Sequence, residues 1–141
     1  MRRLKTRSRF TTDGHRYKAE DLSQLTERII GSAYAVHNSL GSGFVEKVYE
    51  NALVHELAKS GLGVQQQVAF AVRYDGVVVG EYVADLIVEG VVLVELKVAR
   101  AIDEAHIAQC LNYLAATCLP LGLVLNFHRR VQVKRLLPHQ P

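Results

Sequence analysis

Beyond Val68 the apolar residues stop recurring at helical spacing and alternate in twos, and this change of period limits the fold more than any other feature. Val68, Phe70, Val72 and Tyr74 alternate with smaller or polar residues, as in a half-buried strand. Asp75-Gly76 follows, a strong two-residue hairpin signal because both positions accept left-handed backbone. Two more β-rich runs, Val77–Val88 and 91–98, are divided at Glu89-Gly90. Ahead of this block, Leu25, Ile29, Ala33, Val36 and Leu40 recur every three or four residues, predicting a helix capped at Asp21 or Ser23 and stopped by Gly41-Ser42-Gly43. A second helix is expected over 45–59, packing through Val48, Leu53 and Leu57, with Gly61 and Gly63 ending it. A third is expected over 103–118, with Ile107, Leu111, Leu114 and Ala115 inward. Leu121–Phe127 reads as a buried strand and Val131–Leu136 as a final edge strand. The predicted order is ααβββαββ.

A chain of 141 residues, 49% hydrophobic and 22% charged, suits one domain with a real core and excludes wholesale disorder. The expected organisation is a basic, flexible tail over 1–19 and a single domain over 20–137. Cys110 and Cys118 form no CxxC pair, which argues against a zinc knuckle or a disulfide framework and for small buried side chains. No apolar run approaches the roughly 20 residues that span a bilayer, and no apolar segment follows the basic N-terminus. No membrane role and a cytoplasmic location are therefore expected.

Charge is unevenly placed. Residues 1–19 carry seven basic residues and one acid, and residues 126–141 carry four basic residues and none. The stretch between them holds six basic and thirteen acidic residues. An acidic body with basic ends suits a protein that approaches a polyanion while gathering carboxylates around a cation. A merely solvated tail explains the N-terminal charge equally well.

Asp85 and Glu95-Leu96-Lys97 are the cluster most suggestive of chemistry, because both acids interrupt apolar strands. A carboxylate in such a strand is costly unless paired or bound to a cation. Glu95 and Lys97 share one strand face. Asp85 joins them if Val88-Glu89-Gly90 is a three-residue loop that pairs Ile87 with Val91, making Glu95 its diagonal neighbour. A two-residue Glu89-Gly90 loop would send the acids to opposite faces. Two carboxylates, a carbonyl and waters make a hard oxygen site suited to Mg²⁺ or Mn²⁺, and a lysine beside it can position or deprotonate water or stabilise phosphate charge. A structural carboxylate–lysine pair at a strand end is the other reading.

The segments Gly43-Phe44-Val45-Glu46-Lys47-Val48-Tyr49, Ala84-Asp85, Glu95-Leu96-Lys97 and Gln109…Tyr113 together resemble the GxxExxY family of the PD-(D/E)XK nuclease superfamily over about 22–127. The resemblance implies an α/β (α+β), restriction-endonuclease-like core with a mixed β-sheet flanked by helices. It implies Asp85 and Glu95 as metal ligands with the Leu96 carbonyl, Lys97 as catalytic lysine, and Glu46 as a helix acid supporting the metal or its water. Gln109 and Tyr113, one helical turn apart, would hold the metal-site environment or the nucleic-acid backbone. Ala84 stands where the motif proline would be. Tyr49 shares a helix face with Glu46, and His106 shares the Gln109–Tyr113 stripe; both are candidate substrate contacts, although a core aromatic and a helix-capping histidine are equally ordinary roles. His37 reads as structural. The implied activity is a metal-dependent nuclease acting on DNA rather than RNA. The alternatives are a non-catalytic nucleic-acid-binding module, or a small homo-oligomeric regulatory or assembly protein that uses Phe44, Tyr82 and the last strand as its surface.

Overall fold

The computed structural model describes residues 18–139; the basic stretch 1–17 lies outside the described residues. Eight elements follow one another: α1 (Ala19–Leu40), α2 (Glu46–Lys59), β1 (Val64–Tyr74), β2 (Val77–Val88), β3 (Val92–Lys97), α3 (Glu104–Thr117), β4 (Leu121–Phe127) and β5 (Val131–Leu136). Their order is the one expected from the periodicities. The five strands form one sheet in chain order, antiparallel except for the parallel β3–β4 pair, whose crossover is α3. Helices α1 and α2 cover one face and α3 the other. Both faces of β3 and β4 are therefore largely buried, and their apolar runs are broken by Glu95 and Lys97 in β3 and by Asn126 in β4. Val92, Val94 and Leu96 point toward Ile29, Tyr49 and Leu53, while Leu93 points toward Cys110 and Leu114. Among the described residues, no helix is long and apolar enough to cross a membrane.

Three local expectations are corrected. Helix α1 starts at Ala19 behind Lys18, with no side-chain cap; Glu20 and Asp21 occupy its first turn, where the helix dipole favours acids, and Ser23 lies within it. Helix α3 buries Cys110, Tyr113, Leu114, Ala116 and Thr117, leaving Ala115 on the outside. Finally, the β2–β3 connection is Glu89-Gly90-Val91, pairing Val88 with Val92 and Ile87 with Leu93. Glu89 and Gly90 are both left-handed (φ 54° and 68°), and the Val91 N–H closes the turn on the Val88 carbonyl at 3.1 Å. Glu89 is held in that conformation by Gly63, whose N–H donates to its carboxylate at 2.6 Å and whose carbonyl accepts the Glu89 N–H at 2.7 Å. The register differs from expectation by an even number of positions, so every side chain keeps its expected face.

The β1–β2 hairpin turns on Asp75-Gly76, both with positive φ. A further left-handed residue, Gln67 at φ 54°, lies in β1. Val64 packs with the α1–α2 layer and Gln66 reaches α2, whereas Val68 and Phe70 pack with α3. The strand changes faces at Gln67, which turns the outer part of the hairpin toward α3.

Candidate active site

The β2–β3 ladder runs from Val88↔Val92 to Leu86↔Val94 and stops, although both strands continue. The next position in this register sets Asp85 opposite Glu95. There the side chains replace the missing rungs: the Asp85 N–H donates to Glu95 Oε2 at 2.8 Å, and the Leu96 N–H donates to Asp85 Oδ2 at 2.9 Å. Each acid therefore caps the other's strand, and the two carboxylates face one another where the strands part. Glu95 is only 4% exposed. Burial, reinforced by the Asp85 charge, pushes its carboxyl up to about 8. Burial also raises Asp85, more than the Leu96 N–H lowers it. Both carboxyls thus hold their protons more tightly than an ordinary acid does, and a positive charge between them would favour their ionised forms.

Glu46, the first residue of α2, completes the acidic rim. Burial and the neighbouring Asp85 charge raise its carboxyl, with Lys97 acting in the opposite sense. Lys97, on the Glu95 face of β3, donates from Nζ to Gln109 Oε1 at 3.0 Å, and Gln109 Nε2 donates to the Tyr113 hydroxyl at 3.3 Å. The QxxxY pair of α3 therefore forms a relay that fixes the lysine. Burial and the Glu95 and Asp85 charges raise Tyr113. Burial, then Glu95, pushes the Cys110 thiol up to about 12, so Cys110 is an inert core group. Asn126, paired with Lys97 across β3–β4, is wholly buried and clasps Ala99 through its N–H and its carbonyl, both at 2.8 Å. That clasp fixes the chain as it leaves Lys97.

Glu50 and Gln67 belong to this neighbourhood and went unread in the sequence. Glu50, 1% exposed, accepts hydrogen bonds from Lys47 at 2.9 Å, Gln66 at 2.6 Å and Gln67 at 3.0 Å. Burial would raise its carboxyl, but the donors from Gln66, Lys47 and Gln67 together outweigh it and hold Glu50 below its ordinary value. Gln67 also reaches Asp85 Oδ1 at 3.4 Å, bridging the two acids. The available signal was Gln65-Gln66-Gln67, three amides opening an otherwise apolar strand. A left-handed glutamine stores strain that its contacts must offset. Gln67→Gly should therefore fold nearly as well as the parent, whereas Gln67→Val should lose roughly 1–2 kcal/mol relative to Gln67→Gly. Urea unfolding of the two variants checks this, and equal stabilities would count against strain at Gln67.

Two expected substrate contacts have other placements. Tyr49 is fully buried and cannot touch a ligand. Its hydroxyl donates to the Gly41 carbonyl at 2.6 Å and accepts the Phe44 N–H at 3.3 Å, and its ring stacks on Phe127 with centroids 4.7 Å apart. It ties down the loop that presents Glu46. His106 forms a capping box with Asp103: its N–H donates to Asp103 Oδ1 at 2.8 Å, and its Nδ1 accepts the Asp103 N–H at 3.2 Å. This serves the start of α3. His37 donates to the His128 carbonyl at 2.8 Å, a structural link between α1 and the β4–β5 turn.

Among the described residues, no group of three or more His, Cys, Asp or Glu side chains is placed so that it could hold a metal ion. Asp85, Glu95 and Glu46 carry hard oxygen donors, and burial together with the Asp85 charge raises both glutamates; such donors suit Mg²⁺ or Mn²⁺ far better than a soft metal.

A mixed sheet layered between two helices on one side and one on the other, opened between two central strands, is a restriction-endonuclease-like fold. The chain belongs to the PD-(D/E)XK nuclease superfamily, whose family profile matches residues 23–136. Among solved structures, a crystal structure of SSO0001 is similar with a TM-score of 0.53 and 18% identity, over 84% of this chain and 60% of that one. This chain thus spans less than two thirds of that protein, and the likeness speaks for the fold alone. No curated protein matches the chain.

Proposed function

We propose that residues 20–137 form a divalent-metal-dependent nuclease domain of the GxxExxY type, hydrolysing phosphodiester bonds in DNA. The observation that carries this reading is the Asp85–Glu95 pair, two acids facing each other where the β2–β3 ladder stops, with Lys97 held beside them. A structural ion pair would neutralise a buried acid, yet the Lys97 ammonium is engaged by Gln109 and Glu95 remains raised to about 8. Asp85, Glu95 and the Leu96 carbonyl would hold Mg²⁺ or Mn²⁺, with Glu46 on the outer side. A bound divalent ion supplies Lewis-acid polarisation of the phosphate and a more acidic water. Lys97 orients the attacking water and stabilises charge on the phosphate, and Gln109 with Tyr113 keeps its ammonium in place. Gln67, anchored on Glu50, holds Asp85 Oδ1. The basic ends add phosphate contacts that carry no sequence preference.

The test is direct. The purified chain is incubated with single- and double-stranded DNA and with RNA of matching sequence, in Mg²⁺, Mn²⁺ or chelator. Cleavage of DNA that needs the metal and falls steeply with salt is expected. Salt-sensitive binding with no cleavage under any of these conditions would replace the nuclease reading with that of a binding module.

A further inference from the structure

We propose that the cleft between the β1–β2 hairpin and α3 is a nucleobase pocket, taking an unpaired base of the strand whose phosphate lies at Lys97. The cleft, about 490 Å³, is lined by Phe70, Val72, Tyr82, Gln109, Asn112 and Tyr113 together with small alanines, and no charged side chain lines it. That size lies within the range of about 300–1,000 Å³ typical of small-molecule sites. Neutral aromatic walls do not suit a phosphate; they suit a flat, uncharged ring.

The walls form an aromatic platform. Phe70 pairs with Tyr82 across the hairpin ladder, with ring centroids 5.9 Å apart. Tyr113 from α3 meets Phe70 edge-on at 5.0 Å and tilts over Tyr82 at 5.6 Å. Phe70 and Tyr113 are buried, whereas Tyr82 is 45% exposed, so the cluster has a rigid back and an open front. Gly80 leaves room for Tyr82: a Cβ at Gly80 would lie 2.9 Å from the tyrosine ring and would push the ring aside. Asn112, an exposed amide in the lining, offers a donor and an acceptor to a base edge, while Gln109 is already engaged by Lys97 and Tyr113. Gln109 is also the group that holds Lys97, so the pocket opens directly beside the proposed cleavage site. Aromatic side chains carry single-stranded nucleic acid by stacking on successive bases, and a base stacked within a duplex cannot enter without leaving its neighbours.

The placement of the base beside a reacting phosphate rests on the nuclease reading; the pocket itself is tested separately. The chain contains no tryptophan, so Tyr82→Trp introduces a sole indole at the platform. In an Asp85→Asn background, which leaves the strand uncut, this variant is titrated in Mg²⁺ at low salt. The probes are a single-stranded oligothymidylate of roughly a dozen nucleotides, an abasic oligomer of equal length, a duplex and free thymidine. Quenching of the indole is expected with the oligothymidylate, and much less with the abasic oligomer or the duplex. In the same Asp85→Asn background, Tyr82→Ala should weaken oligothymidylate binding roughly 5- to 150-fold, and Tyr82→Phe should retain it. No quenching, or equal quenching by the abasic oligomer, overturns the pocket. Thymidine binding as tightly as the oligomer overturns the strand-base assignment in favour of a free nucleoside. A parent chain that never cleaves, with the quenching intact, removes the nuclease reading and leaves the pocket.

Discussion

Lys97→Met should reduce metal-dependent DNA cleavage by roughly 10²–10⁴-fold while the domain stays folded. Methionine keeps the length and apolar stem of the lysine and deletes the ammonium, so the packing of β3 against α3 is preserved. The lost group sits between the Glu46–Asp85–Glu95 rim and the Gln109–Tyr113 relay, where a positive charge can act on a phosphate in a site of low dielectric. If Lys97 acts in the reaction, kcat falls more than KM rises, because the interaction is made chiefly in the transition state. Gln109→Ala should produce a smaller fall and restore activity in part as Gln109→Glu, since a carboxylate can again receive the ammonium. Single-turnover cleavage with circular dichroism as a folding control decides the matter. Parent-like turnover by Lys97→Met would reduce the lysine to a structural role.

In chelator, stability should fall as pH rises from about 5 to 8.5, and Glu95→Gln should remove most of that fall. A carboxyl with an ordinary value near 4.5 in the unfolded chain and about 8 in the fold binds its proton more tightly when folded. Folding is therefore favoured by this group below the unfolded value, and the benefit is lost as pH climbs toward the folded one. At roughly 1.4 kcal/mol for each unit, the loss reaches several kcal/mol, or on the order of 10 °C in Tm. Glutamine keeps an oxygen able to accept the Asp85 N–H and cannot ionise. Asp85→Asn should stabilise the chelated protein in the same direction by relieving the repulsion from the other side. Adding Mg²⁺ at pH 8.5 should recover stability in the parent and much less in Glu95→Gln. Thermal melts across this range check all three statements; a parent whose Tm is flat or rising with pH would show that the two acids do not share a buried field.

The elements were legible because each rests on a local signal that tertiary structure did not need to correct: a clear change of period, two glycine-rich stops and a strong Asp75-Gly76 turn. Asp85 and Glu95 were legible because acids are conspicuous in apolar strands. The exact register was not, since Glu89 owes its left-handed turn to Gly63, 26 positions away. Glu50 was hidden for a related reason. In a helix with other charged residues it reads as surface, and it is buried only by Gln66 and Gln67, which the chain brings back from the next strand. Gln67 itself carries no sign of its backbone, because glutamine rarely adopts positive φ. Tyr49 and His106 lie at motif spacing but are used by the scaffold, and spacing alone cannot separate the two uses.

The mutual capping of Asp85 and Glu95 has a consequence for which ions the opening between β2 and β3 can accept. One oxygen of each acid already accepts a backbone amide, and the other oxygen of Asp85 faces the Gln67 amide at 3.4 Å, so neither acid would readily turn both oxygens onto one ion. An ion that wants many anionic oxygens, or two from one carboxylate, is poorly served by such jaws. A small, strongly hydrated ion that keeps most of its own waters would be better served. The amides that blunt the acids also lock their rotamers, so little disorder remains to be frozen out when an ion arrives.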